Sequence, residues 1–332
     1  MSLTAPARRT LKPEMDDAST SGDHVPQTAV IAAVVVTIVA WASAFIAIRY
    51  DGRHFGPGEL ALGRLLVGGV VLGVAILARR VLARRDRMPP RSQWLGNIIC
   101  GVGWFGVYNV ALNAAERHLD AGVSALLVNV SPIFIAVLAG VFLKEGFPRL
   151  LFAGCVISFA GVAIIGLAGA KHHVDAGWGV ALCLIAAVGY AGGLVAEKPV
   201  LQHASPLVVT WIACTVGAVC CLPWAPGLID ELGHATTSQA LWIAYLGAFP
   251  TATGFLAWAF ALSHTDAGRL APFTYLVPPL ALLLGWPILS ETPPLLAIPG
   301  GILCIAGVAI ARWSPASGVR PAGGQARVES VR

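Results

Sequence analysis

The chain has 332 residues, 57% of them hydrophobic and only 12% charged, with a mean hydropathy of +0.76. A soluble domain of this size carries about 25% charged residues, so the polar surface needed to cover a water-soluble globule is missing. The formal charge of +5 is distributed by loop, as shown below, and therefore speaks for topology and against nucleic-acid recognition.

In chain order, residues 1–27 come first. They are polar and mix Arg8, Arg9 and Lys12 with Glu14, Asp16, Asp17 and Asp23. That is too polar for the leading region of a cleaved signal peptide, and a disordered cytoplasmic tail is expected. Ten apolar blocks follow, at 28–49, 58–78, 93–115, 121–143, 149–169, 176–197, 206–226, 238–262, 268–289 and 294–312. Each approaches the roughly 20 residues that a membrane-spanning helix needs. Near-continuous apolar runs point to helices, because the strands of a membrane barrel would alternate. Residues 313–332 read as a second disordered cytoplasmic tail. The expected fold class is an all-α integral membrane protein of ten transmembrane helices.

Short connections force neighbouring helices antiparallel, so tails and loops alternate between two sides. One side collects Arg8, Arg9, Lys12, Arg79, Arg80, Arg84, Arg85, Arg87, Arg91, Lys144, Arg149, Lys198, Arg312, Arg320, Arg327 and Arg332. The other collects only Arg49, Arg53, Arg117 and Lys171. The positive-inside rule then places both termini in the cytoplasm, with the protein in the plasma (inner) membrane.

The chain also repeats itself. Asp120-Ala121-Gly122 recurs 146 residues on as Asp266-Ala267-Gly268, and the same offset pairs Pro132 with Pro278, Glu145 with Glu291, Pro148 with Pro294, Gly154 with Gly300 and Gly161 with Gly307. An offset of 149 pairs Trp41 with Tyr190, Arg49 with Lys198 and Pro57 with Pro206. The halves, 28–170 and 174–312, each hold five helices, an odd number. The second half must therefore enter the membrane from the opposite face, which is the inverted repeat many carriers use for alternating access.

Trp41-Ala-Ser-Ala-Phe-Ile-Ala-Ile-Arg49, then Pro57 and Arg64, resembles the opening of an EamA domain. So does the run Tyr108, Ala111-Leu112, Asp120-Ala-Gly122, Pro132, Glu145, Gly154 and Gly161, repeated as Ala259-Phe-Ala-Leu262, Asp266-Ala-Gly268, Pro278, Glu291, Gly300 and Gly307. The resemblance, to the drug/metabolite transporter superfamily, covers roughly residues 28–312. It implies ten helices, cytoplasmic termini and a central cavity lined mainly by the first, third, fourth, sixth, eighth and ninth helices. Lys144 and Ser290 stand where the family usually has a Gly, and Tyr190-Ala191 where a Trp-Gly pair is common.

On those helices sit the candidate substrate-contacting residues: Trp41, Trp104, Tyr108, Asn109, Asn113, Asn129, Tyr190, Thr253, Trp258, Thr274 and Tyr275. An unpartnered Asn facing hydrocarbon costs several kcal/mol, on the order of its lost hydrogen bonds, so these groups face protein or water. They either join helices or line a solute path. Pro132 and Pro278, in the interiors of the fourth and ninth helices, are candidate helix breaks. Asp120 and Asp266 are expected to cap the fourth and ninth helices, and Glu145 and Glu291 to favour the N-termini of the fifth and tenth. Arg64 either snorkels to the outer interface, anchors an anionic group or is a packed family residue, and Arg269 is expected to snorkel. Glu197 and Lys198 read as an interfacial pair.

The seven cysteines lie in apolar blocks without metal-ligand spacing and read as small buried packing residues. Walker A, HExxH and GxSxG patterns are absent, and His172-His173 falls in a loop. No catalytic residue, metal or cofactor is expected. The expected activity is secondary-type transport of small organic solutes, amino acids or related metabolites, with the lipid bilayer as the other partner. Oligomeric state is left open. The alternative is a non-transporting membrane scaffold or receptor.

Overall fold

The computed structural model of the chain describes residues 26–51, 54–83, 86–118, 124, 127–169, 176–289 and 295–313. Among these, the regular structure is helical throughout, with no strand. Long apolar runs in lipid must satisfy their backbone hydrogen bonds internally, and a helix does so within one segment.

Helix α1 covers Gln27–Asp51, α2 Pro57–Val81, α3 Arg91–Ala115, α4 Ser131–Phe142, α5 Arg149–Gly169 and α6 Ala176–Leu201. Helix α7, Pro206–Cys220, bends by 53° into Leu222–His234, and α8 covers Thr237–His264. Helix α9 runs as Ala267–Leu270, a 3-10 turn over Ala271–Leu276 and then Val277–Leu289; α10 is Ala297–Arg312. Six of the described helices are long and apolar enough to cross a membrane, or seven if the bent α7 pair is one span. Shorter apolar stretches occupy Ser131–Phe142, Arg149–Ile164 and Ile298–Ala311. Val70, Val74, Leu77 and Val81 of α2 are exposed, as are Ile298, Ile302 and Ile305 of α10. Their spacing of three or four residues puts each set on one helix face, an apolar outer surface suited to a bilayer.

Helix irregularities recur along the chain. α3 widens into a π turn over Gly101–Val107 and α8 into another over Gly247–Gly254. The segments Ser131–Phe142 and Val277–Leu289 both start with a proline as second residue, Pro132 and Pro278. These starts lie 146 residues apart, as do the starts of the π turns. The sequence places both prolines inside helices. The structure instead sets them where a helix restarts, after a turn at 129–130 and after the 3-10 turn of α9. A missing N–H costs little there because the first turn leaves its N–H groups unpaired anyway.

Helices α5 and α10 cross at glycines. A Cβ on Gly154 would stand 2.5 Å from Gly307 O, and one on Gly161 2.5 Å from Gly300 O. Between them Ser158 Oγ donates to Cys304 O (3.1 Å) and Cys304 Sγ to Ser158 O (3.5 Å). Across α2 and α7, Cys214 Sγ donates to Leu65 O (3.3 Å). These bonds join residues 146 and 149 positions apart, the two offsets seen in the sequence. Six of the seven cysteines are buried, and Cys220, at the bend after α7, is exposed.

Charged ends hold the helices together in ways the sequence does not display. In the α4–α5 linker, Lys144 (φ 58°) and Gly146 (φ 79°) turn the chain through the left-handed region. The turn aims the Glu145 carboxylate away from α5, and it accepts from Ala267 N and Gly268 N of α9, both at 2.8 Å. Burial holds this carboxyl above the usual carboxylate range, opposed by those two N–H donors and by Lys198. Glu145 thus caps α9 in place of α5. Asp266 takes the N-cap backbone position of α9 without a side-chain capping bond. Asp120 and Glu291 lie outside the described residues, as do His172 and His173.

Glu197 and Lys198 do not form the expected pair. Lys198 Nζ donates to Leu262 O (2.5 Å) and Thr265 O (2.7 Å) at the end of α8, where a cation suits the exposed carbonyls. Glu197 is enclosed, and its Oε2 has no hydrogen-bond partner among the described residues. Glu145→Ala is expected to lower stability by about 2 kcal/mol through the two lost charge-assisted bonds. Thermal unfolding in detergent checks this, with Glu145→Gln expected to recover part of the loss.

Candidate functional site

A cavity of about 70 Å³ lies where α1, α2, α3, α4, α6, α8 and α9 meet. The π turns bring the walls together. Wide turns inside a helix change which side chains point inward and occur often at functional sites. Around the π turn of α3, glycines allow close approach: a Cβ on Gly103 would stand 3.0 Å from Gly189 O, and one on Gly193 2.7 Å from Trp104 Cβ.

The wall is a continuous aromatic cluster. Trp104 stacks on Tyr190 (4.7 Å between centroids) and meets Trp41 (5.9 Å) and Phe255 (4.9 Å). Trp41 also contacts Phe255 (5.4 Å) and Tyr190 (6.4 Å), and Tyr108 contacts Tyr190 (5.8 Å). Offset and edge contacts of this kind are each worth about 0.5–1.5 kcal/mol beyond area burial. The Trp41 indole N–H has no acceptor among the described residues.

Polar groups interrupt that wall. Asn109 Nδ2 donates back to Phe105 O (2.8 Å), at the end of the π turn. Thr274 Oγ1 donates to Ala271 O (2.9 Å) within the 3-10 turn of α9. Arg64, on α2, is only 5% exposed, lines the cavity, and donates from Nε to Thr251 Oγ1 (2.9 Å) on the π turn of α8. Arg64 therefore does not snorkel. Its direction is not legible in the sequence, because where an α2 side chain points depends on packing.

Of the predicted residues, Trp41, Trp104, Tyr108, Asn109, Asn129, Tyr190, Thr274 and Pro132 come together at this cavity. The rest do not. Trp258 is buried behind the wall, 5.1 Å from Trp41. Asn113 donates to Pro57 O (3.0 Å) and ties α3 to the start of α2. Thr253 is exposed and donates to Ala248 O (3.0 Å) within its own helix, while Thr251 takes the inward position. Tyr275 is buried in a separate cluster with Leu151, Cys155, Cys304 and Val308. Pro278 does not line the cavity, whereas its neighbour Val277 does.

Along α1 from the cavity toward Gln27 lies an open groove of about 730 Å³, bordered by Ile38, Leu276, His264, Asp266 and Arg269. Ile38 of the groove is one helical turn from Trp41 of the cavity along α1. Among the described residues no group of three or more His, Cys, Asp or Glu could hold a metal ion.

Comparison with known proteins gives the same direction. The profile of the EamA-like transporter family matches residues 28–167 and again 177–313. A probable terminal-alkyne amino-acid exporter of Streptantibioticus cattleyicolor is 37% identical over 277 residues, 83% of this chain and 91% of that protein. The uncharacterized transporter YdfC of Bacillus subtilis is 33% identical, over 81% of this chain and 86% of its own. A probable amino-acid metabolite efflux pump of Salmonella typhimurium is 26% identical over 62% of this chain and 72% of its own. A solved crystal structure with 20% identity shares the fold, with a TM-score of 0.69 over 86% of this chain and 98% of the other. The chain belongs to the EamA-like transporter family and is a multi-pass membrane transporter of the drug/metabolite transporter superfamily.

Proposed function

We propose that the chain is a secondary-type carrier of small organic metabolites, amino acids or related solutes, working as an exporter by alternating access between two inverted five-helix halves. The single observation that carries this reading is the aromatic cavity built jointly by helices of both halves. Aromatic walls with a few placed polar groups suit an amphipathic organic solute. The two relatives described as a probable amino-acid exporter and a probable amino-acid metabolite efflux pump support the substrate class and direction.

The ten-span arrangement is supported by the six long helices, the bent α7 pair and the three shorter apolar helices, which coincide with the ten apolar blocks. Inversion is supported by reciprocal contacts. Gly154 meets Gly307 while its repeat mate Gly300 meets Gly161, and Ser158 and Cys304, one offset apart, bond each other both ways. Contacts of this form arise on a two-fold axis that exchanges the halves, and an axis lying in the membrane plane inverts them. The basic bias of one side supports cytoplasmic termini in the plasma membrane.

The cavity is far below the roughly 300–1,000 Å³ of a ligand pocket, so solute entry requires the cavity to widen and open. Efflux of labelled amino acids and related metabolites from liposomes holding the purified protein tests the reading. Flux above protein-free liposomes for some members of the panel is expected. Absence of flux for a broad panel would favour a scaffold or receptor.

A further inference from the structure

We propose that Arg64 is the anchor for a carboxylate group of the transported solute, which makes the substrate class small organic carboxylates with an apolar or aromatic body. This rests on the carrier reading and narrows it.

Arg64 is buried, and among the described residues no carboxylate stands at salt-bridge distance from it, although the Glu116 charge acts on it. Arg79 pairs with Asp86 (3.2 Å), and the His234 imidazole lies 4.0 Å from Asp230. The hydrogen bond of the Arg64 side chain uses Nε, on Thr251. The two Nη groups have no partner among the described residues. Arg64 is one of the residues that line the cavity. Tyr108, Cys214 and Glu116 are the titratable groups that act on it electrostatically. A guanidinium taken out of water without a hydrogen-bonded carboxylate is costly. It is offset well by a carboxylate, whose two oxygens match the planar fork.

The Nε bond to Thr251 fixes the fork's direction and leaves its Nη edge to the ligand. Trp41, Trp104 and Tyr190 then offer rings to the rest of the solute. The bond also spans the halves, since Arg64 lies on α2 and Thr251 on the π turn of α8. An anion held there is registered by both halves, and solute binding can bias the movement between them.

The test uses the full chain in liposomes and probes that differ only at the carboxyl group. Suitable pairs are phenylalanine and its amide, norvaline and its amide, and 3-phenylpropionate and 3-phenylpropionamide. Wild-type flux is expected to favour the carboxylate of at least one pair by tenfold or more. Arg64→Gln is expected to lower carboxylate flux by thirtyfold or more while changing amide flux less than threefold, with Arg64→Lys intermediate. Amides carried as well as carboxylates by the wild type, or equal losses for both in a folded Arg64→Gln protein, would overturn the anchor while leaving the carrier intact. No flux of any probe would instead reject the carrier reading, and the anchor with it. Should Arg64→Gln not fold, wild-type thermal stability decides: carboxylates are expected to raise the melting temperature and their amides not to. Equal shifts, or none, would overturn the proposal.

Discussion

Replacing Gly161 with leucine is expected to abolish the folded protein, while Gly192→Ala leaves it intact or slightly firmer. At Gly161 the first side-chain atom would stand 2.5 Å from Gly300 O, 2.7 Å from Cys304 N and 2.9 Å from Cys304 Sγ. Two of those atoms are backbone and cannot swing aside. Overpacking a core costs about 1–3 kcal/mol where side chains can shift, and more where backbone must. Helix pairs in lipid also depend on close backbone approach, because no hydrophobic effect drives one apolar helix onto another. A Cβ at Gly192 would meet nothing within 4 Å, and helical Gly→Ala is worth about 0.5–1 kcal/mol in its favour. Size-exclusion profile and melting temperature in detergent check both. A monodisperse, wild-type-stable Gly161→Leu protein would show that α5 and α10 do not pack as described.

Trp104→Ala is expected to have the other large effect. Trp104 is 2% exposed and contacts Trp41, Phe105, Tyr190 and Phe255 at once. Truncating a buried Trp costs about 3–5 kcal/mol, and here it also removes part of the cavity wall. Reduced melting temperature and loss of most solute flux are expected together. Trp104→Phe keeps an aromatic face and is expected to retain the fold while shifting preference toward solutes with a larger apolar body. Tyr275→Phe lies outside the cavity and is expected to leave flux and preference unchanged, which separates the two aromatic clusters.

How far the sequence reaches follows from the solvent. Apolar runs, basic loops and the 146- and 149-residue offsets survive in the linear order, so the helices and the repeated pattern are readable there. Which face of a helix points inward is not, because lipid and protein neighbours are both apolar and no polar stripe marks the outside. Thr251 and Thr253 cannot be told apart from composition, and the π turn of α8 decides that Thr251 meets Arg64. Tyr275 and Thr274 are adjacent, yet only Thr274 reaches the cavity. Glu145 reads as a cap for the helix that follows it, and the positive-φ turn at Lys144 and Gly146 sends it to α9. The glycine crossings and the Ser158–Cys304 bonds depend on which helices meet, information that only the folded chain carries.

Alternating access requires the cavity beside Arg64 to open to each side of the membrane in turn. Ala44 lines that cavity and is buried. An Ala44→Cys substitution, in a cysteine-depleted background that retains solute flux, gives the measurement: the rate of modification by a membrane-impermeant thiol reagent applied to either face. Modification from both faces, slowed from both by a transported solute, is the predicted result. Modification from one face alone, indifferent to solute, would contradict alternating access through this cavity.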